Sequence, residues 1–521
     1  MFLIQKFPKF SINKYLLSKE LKMKQLKNIL LDIKKLESAA SVLHWDQETY
    51  MPEGGSEFRA EVLAYLSLMG HQMATGQKLK DELSRHIDYN TGELVNITLS
   101  DKEKRLVELV RKDLKKQVAL PDAFVEEMSK HTSATQQVWI KARKEKDFSV
   151  YAPYLEKMIK LKKQEAEYYG YEDKPYDALL DGFEPGMTTE RVAALFGGLK
   201  ERLVKLVEKI NSVKQIDDSV LQQSFDTKEQ WKFGMKIAEA IGLDMNKARQ
   251  DVSAHPFTIG FHPDDVRITT RLNDKMLLSG LFSTIHESGH AIYEQGLPKE
   301  QYGTPFGETA SFGIHESQSR LWENVIGRSK EFWTYALPLL KEHYSQLKDV
   351  SVADWYRMIN VVKPSMIRVE SDEVYYSLHI MLRFDIESAI INGNINVNDI
   401  PALWNVKMKE YFGITPKDDA EGVLQDVHWS FGGFGYFPSY AMGNLYGAQI
   451  MEQAEKEIPK LWEKVRKGEF LPLKKWLNEK IHKHGRFYDP EDLIKVITGA
   501  PLSPDPFMNY LEAKYKDIYG L

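Results

Sequence analysis

The chain has 521 residues, 43% hydrophobic and 28% charged, with 70 Lys and Arg against 75 Asp and Glu and a net charge of −5. That length can bury a substantial core, and the slight acidic excess gives no electrostatic ground for nucleic acid or an anionic membrane surface as partner. Cysteine is absent, which excludes disulfides, thiolate metal sites and cysteine nucleophiles together and suits a cytoplasmic setting.

Residues 1–22, "MFLIQKFPKFSINKYLLSKELK", are basic, with apolar residues too interrupted for a secretory segment and none of the arginine of a transit peptide. They read as a loosely ordered N-terminal extension, with Met23 an alternative start, ahead of one helical domain over 23–521. "MKQLKNILLDIKKLESAASVLHWDQE" then sets Leu26, Ile29, Leu30, Ile33 and Leu36 on one helical stripe. "DKEKRLVELVRKDLKKQVALP" and "TTERVAALFGGLKERLVKLVEKINSV" read the same way, each opening on polar or acidic residues. Glycine and proline punctuate "MPEGG", "GFEPGMT", "GLPKEQYGTPFGE" and "FGGFGYFPSY". Strand-like text is confined to "PFTIGF" and "DVRITTRL", which flank the turn-forming "HPDD" and predict a hairpin over 257–261 and 265–272. No run reaches the ~18 consecutive apolar residues of a membrane span.

Immediately downstream stands "TIHESGHAIYEQG", with His286, Glu287 and His290 in an H-E-x-x-H pattern. On a helix, residues four apart lie about 40° apart around the axis, so two imidazoles can converge on one cation. The glutamate between them sits to the side, where it can polarise a water. Leu278, Leu281, Phe282, Ile285 and Ile292 supply the apolar stripe of that helix, with Gly289 in phase. Asn273 or Asp274 is expected to cap it, and Gly296 and Pro298 to end it.

A catalytic zinc keeps three protein ligands and an open position. Tyr293 and Gly296 stand where a longer three-histidine motif needs glycine and histidine, so the third ligand lies elsewhere, among Glu308, His315 and Glu316. "ASFGIHESQSRLWENVIG" reads as a helix capped at Ser311 and stopped by Gly327, with Phe312, Leu321 and Val325 facing inward. Glu316 shares that phase, and a buried carboxylate must be ligated or paired. It is the preferred ligand, with an ion pair to Arg320 as the competing use and a supporting role for His315.

Several strings together resemble the M32 family of metallocarboxypeptidases, the thermostable carboxypeptidase 1 or carboxypeptidase Taq type. They are "HWDQETYMPEGG", "HPF", "DVRIT", "HESGH", "HESQ", "IRVESDEVYYSLHIMLRFDIE" and "DVHWSFGGFGYFPSYAMGNLYGAQ". The resemblance implies a mainly α, gluzincin-type helical fold with a deep active-site groove and a small antiparallel β-sheet beside the metal site. It implies His286, His290 and Glu316 as ligands of one divalent metal per chain, zinc or alternatively cobalt, and Glu287 as general base. It also implies peptide substrates and a homodimer. Tyr375 departs from the threonine many relatives carry, and should leave the metal chemistry alone.

The expected activity is release of single C-terminal amino acids with broad specificity, since no single specificity charge stands out. The alternative is a metallo-oligopeptidase cutting inside short peptides. Tyr376 resembles by position the tyrosine of helical gluzincins that stabilises the tetrahedral intermediate, or is a hydrogen-bonded wall residue. Arg368 is assigned to the substrate carboxylate, since arginine offers two parallel hydrogen bonds. Arg267 with Asp265 is expected to shape the groove near the metal, His255 to close one end, and Tyr436 to touch substrate or pack as an aromatic. His379 reads as structural, and Arg383 with Glu387 as a solvated i,i+4 pair.

Overall fold

A computed structural model describes residues 10–521, with side chains from Met23 onward. Of the expected N-terminal extension, residues 1–9 lie outside the described residues. The chain forms two compact units, one up to Ala119 together with Pro298–Glu308, the other from Leu120 to Leu297 and from Thr309 to Leu521.

In the first unit, α1 (Phe10–Thr49) packs on α2 (Ser56–Thr75), the break falling at "MPEGG". Leu26, Ile29 and Ile33 are buried, and Leu30 and Leu36 half-buried, as the three-and-four spacing predicts. Arg59 fastens the hairpin, donating to Leu43 O at 2.7 Å and Asp46 Oδ2 at 2.6 Å. The acidic opening of "DKEKRLVEL" becomes a capping box. Glu103 Oε2 accepts from Ser100 N at 2.8 Å, starting α3 (Asp101–Ala119).

The second unit is mainly helical around one apolar core that encloses Trp322, Trp333, Trp355 and Trp404. The predicted hairpin forms as β2 (Thr258–His262) and β3 (Asp265–Thr270), antiparallel with a register shift between Gly260 and His262. The sheet is nevertheless mixed rather than antiparallel, because β1 (Ala248–Val252) pairs in parallel with β3, in the order β1-β3-β2. β1 escapes a sequence reading because "ARQDV" buries Gln250 and Asp251, not apolar residues.

α4 (Leu277–Gly296) follows β3 and carries the H-E-x-x-H residues. It ends at Gly296 as predicted, but neither Asn273 nor Asp274 caps it. Asn273 Oδ1 accepts from Lys275 N at 2.8 Å, and Asp274 Oδ2 accepts from Ser224 Oγ at 2.9 Å, so both serve the loop before the helix. α5 (Phe312–Arg320) starts at the predicted cap, Ser311 Oγ accepting from Ile314 N at 3.0 Å. It then widens into a π-helical turn over Leu321–Ile326, where Gly327 N reaches Trp322 O at 2.8 Å. Phe312, expected inside, is 50% exposed. As the first residue of α5 it lies edge-on to Phe183 and Tyr436 instead. α6 (Glu373–Ile391) is packed by the helices Thr189–Asn211 and Ile400–Phe412 and by α7 (Phe437–Glu457).

Candidate metal centre

Two glycines let three helices meet at the site. A side chain at Gly289 would stand 2.7 Å from Gln318 O and Ser319 Cα, so α4 and α5 cross with nothing between their backbones. A side chain at Gly443 on α7 would stand 2.5 Å from Glu316 Cγ. Glu316 is thus pressed from α7 toward the two histidines of α4.

His286, His290 and Glu316 present one ligand atom each, all within 4.8 Å of one another. Glu316 Oε2 lies 3.4 Å from His290 Nε2 and 3.7 Å from His286 Nε2. Ligands at 2.0–2.1 Å from a tetrahedral zinc stand about 3.3 Å apart, so this donor set fits a divalent cation. The ligand and ion-pair uses of Glu316 are not exclusive, because its other oxygen, Oε1, accepts from Arg320 Nε at 2.7 Å. Glu308 belongs to the other unit, where it pairs with Lys34 at 3.7 Å.

Burial and neighbouring charges set the protonation states of the three donors, and two of them, Glu316 and His290, are held in the form that coordinates. Burial works to raise the Glu316 carboxyl, but Arg320 and the two imidazoles hold it well below the usual range. Desolvation likewise works to raise the half-buried Glu323, yet Arg320 and His286 chiefly keep it at about 2. Being ionised, Glu323 can only accept, so its 2.8 Å contact places a proton on His286 Nδ1. Burial lowers the His286 imidazole, but Glu316, Glu323 and Glu287 together hold it above its ordinary value, so a cation at Nε2 would take the place of the second ring proton. Burial pushes His290 down to about 3, which keeps it neutral. His315 stacks on the His290 ring at 4.3 Å and contacts Glu294 Oε1 at 3.0 Å, in the supporting place expected of it.

Glu287 is buried, and burial raises its carboxyl above the ordinary value. Thr258 Oγ1 on β2 donates to Glu287 Oε2 at 2.6 Å and lies 3.0 Å from its carbonyl. The sheet therefore orients the glutamate. Thr258 stood in the quoted strand but carried no signal beyond its alternation, and Glu323 none beyond its place seven residues after Glu316.

On α6, the Tyr376 ring lies 4.3 Å from the Arg320 guanidinium, and its hydroxyl accepts from Arg368 Nη1 at 3.0 Å. Arg368 also donates to Asp426 Oδ1 from Nε at 3.3 Å and Nη2 at 2.9 Å. Arg383 donates from Nε to Asp426 Oδ2 at 2.7 Å and from Nη2 to Gln425 Oε1 at 2.8 Å. Burial would raise the Asp426 carboxyl, but the two guanidiniums hold it far down. Arg383 and Glu387 are not a solvated pair, since both are fully buried. Glu387 accepts instead from Tyr176 Oη and Trp429 Nε1, each at 2.6 Å, and from Gly435 N at 3.0 Å. The reason is that neighbouring elements cover α6 along this face, leaving only Asp385, Ser388 and Ala389 half-buried.

His379 is structural as expected, donating to Ser365 O at 3.0 Å. Tyr375 is core, stacked at 5.5 Å on Phe412. Tyr436 is half-buried among Phe183, Phe312 and Tyr440. Arg267 grips Asp265 at 2.7 and 3.2 Å, half-exposed over Phe261. His255 is exposed, its carbonyl accepting from Ser253 Oγ at 2.6 Å.

A helical frame that converges two imidazoles and a carboxylate, with a glutamate beside them, is the arrangement of a metal-dependent hydrolase. The family model described as "Carboxypeptidase Taq (M32) metallopeptidase" matches residues 25–515. Carboxypeptidase 1 of Bacillus subtilis is 41% identical over 96% of this chain and 99% of its own length. Thermostable carboxypeptidase 1 of Thermus thermophilus is 41% identical over 93% and 96%. The crystal structure of M32 carboxypeptidase from Deinococcus radiodurans R1 superposes with a TM-score of 0.93, at 35% identity over 96% of this chain and 100% of that one. The chain belongs to the M32 family and is a metal-dependent carboxypeptidase.

Proposed function

We propose that His286, His290 and Glu316 hold one divalent cation, zinc in the first place and cobalt as the alternative, and that Glu287 is the general base of peptide hydrolysis. The observation that carries this is the approach of Glu316 Oε2 to both Nε2 atoms, at 3.4 and 3.7 Å. A cation bound there supplies Lewis acidity toward the scissile carbonyl and lowers the pKa of water toward neutrality. Glu287, fixed by Thr258, takes the proton of the attacking water and passes it to the leaving amine. Tyr376 accepts from Arg368, so its own O–H is free to donate to the developing oxyanion. Arg368 uses three of its five N–H groups on Asp426 and Tyr376 and has two left for a substrate carboxylate.

The same reading gives a groove shaped by Arg267 with Asp265, closed by His255 and bordered by Tyr436. It gives broad C-terminal specificity, one working domain over 23–521, a cytoplasmic homodimer, and no nucleic-acid or membrane partner. The family match runs through both compact units. No helix among the described residues is long and apolar enough to cross a membrane. Internal cleavage is not favoured, because the relatives are named as carboxypeptidases. Mass spectrometry of digests of one peptide, free and C-terminally amidated, tests the proposal. Single-residue ladders that vanish on amidation support it, and internal fragments from both forms would overturn it.

A further inference from the structure

Arg320 sits at the centre of a largely enclosed charged group that the hydrolytic scheme leaves without a task. Glu316, Arg320 and Glu323 follow one another at i, i+4 and i+7, on one face of α5 and its π-helical continuation. Arg320 Nε donates to Glu316 Oε1 at 2.7 Å and Nη1 to Glu323 Oε2 at 3.2 Å. The same Glu323 oxygen accepts from His286 Nδ1 at 2.8 Å. The ring of Tyr376 stands 4.3 Å from the guanidinium. One planar cation thereby fixes two of the three candidate ligands, Glu316 directly and His286 through Glu323.

We propose that Arg320 is the positioning residue of the metal centre. By occupying Glu316 Oε1 and holding Glu323 against His286, it leaves Glu316 Oε2 and His286 Nε2 as the atoms these side chains offer a cation. The proposal rests on the reading of His286, His290 and Glu316 as ligands. A carboxylate with both oxygens free can chelate, which suits larger, oxygen-preferring ions such as Mn²⁺ or Ca²⁺. Restricting Glu316 to one oxygen keeps the protein donors at three and a coordination position open, as a catalytic zinc site requires. A mere counter-charge would work as well from lysine. Bridging two carboxylates in a fixed plane needs the guanidinium fork.

The test uses full-length wild type, Arg320→Met, Arg320→Lys and Glu323→Gln, each stripped by chelator. Zn²⁺ and Mn²⁺ affinities come from competition titration, visible absorption is read after Co²⁺ loading, and thermal melts check folding. Zinc affinity should fall about 10–100-fold in Arg320→Met, with Mn²⁺ affinity falling less and the cobalt spectrum altered. Arg320→Lys should lose a large part of the same affinity despite its charge, and Glu323→Gln less than either. Folded Arg320→Met with wild-type zinc affinity and cobalt spectrum would overturn the proposal. So would a wild-type result for Arg320→Lys, which also carries the test if Arg320→Met does not fold. Wild type that takes up no zinc would overturn the ligand reading and this proposal with it, whereas wild type that binds zinc beside folded variants that bind it equally well would overturn this proposal alone.

Discussion

Thr258→Val tests whether the sheet beside the metal helix contributes to chemistry. Valine keeps the shape and the β-branched fit of β2 but removes the hydroxyl that donates to Glu287 Oε2 at 2.6 Å. A hydrogen bond to an ionised group is worth about 1.5–3 kcal/mol. Its removal should therefore lower kcat/KM by about 10–150-fold, at ~1.4 kcal/mol per tenfold. Burial already pushes the Glu287 carboxyl up, and the Thr258 donor opposes that. Without the donor the carboxyl rises further, and the acid side of the pH–rate profile should move to higher pH, because the base must be ionised to accept a proton. The assay is kcat/KM against pH on a dipeptide-blocked substrate, with zinc content measured on the same samples. Thr258→Ser retains the donor and should restore most of the rate. If Thr258→Val hydrolyses within twofold of wild type at every pH with full zinc content, Glu287 does not depend on β2 and the reasoning fails.

Glu287→Gln should retain zinc and lose hydrolysis by at least about 100-fold, the scale of one general base; metal analysis beside a peptide assay checks both halves. Gly443→Ala forces a methyl to within 2.5 Å of Glu316 Cγ. Overpacking of this kind destabilises by about 1–3 kcal/mol, so both the melting temperature and the zinc affinity should drop. Burial raises the Glu387 carboxyl from 4.5 to about 7 despite its three donors. The folded state therefore binds the extra proton between those values, so this group's contribution to stability is full below pH 4.5 and declines through pH 7, by roughly 3 kcal/mol. Burial also raises Glu184 to about 7 and Asp372 to about 6, so in Glu387→Gln the slope of urea-unfolding stability against pH between 5 and 8 should become shallower; an unchanged wild-type slope would place the proton elsewhere.

The helical content was legible wherever apolar residues recur every three or four positions, as in Leu26, Ile29 and Ile33 or along Leu281, Ile285 and Ile292. Helix starts were legible where the capping side chain is adjacent, as at Ser311, and not at Leu277. There the two nearest candidates, Asn273 and Asp274, bind the preceding loop. β1 was hidden because its buried positions are polar, and its parallel pairing depends on a strand beginning 13 residues beyond its end, at Asp265.

For the candidate site, the neighbourhood of His286 and His290, with Glu287 beside them, was determined by the sequence alone, because a helix makes residues four apart neighbours whatever surrounds it. Glu316 was legible as an inward-facing carboxylate next to a possible counter-ion; the pair with Arg320 forms on one oxygen, and the other oxygen is turned toward the His290 imidazole. Tertiary structure alone decided the rest. Thr258 reaches Glu287 across 29 positions and Asp426 reaches Arg368 across 58, while Glu323 meets His286 across 37. Local periodicity carries no information about such partners, since they exist only once buried charges and donors from separate elements have been forced to satisfy one another.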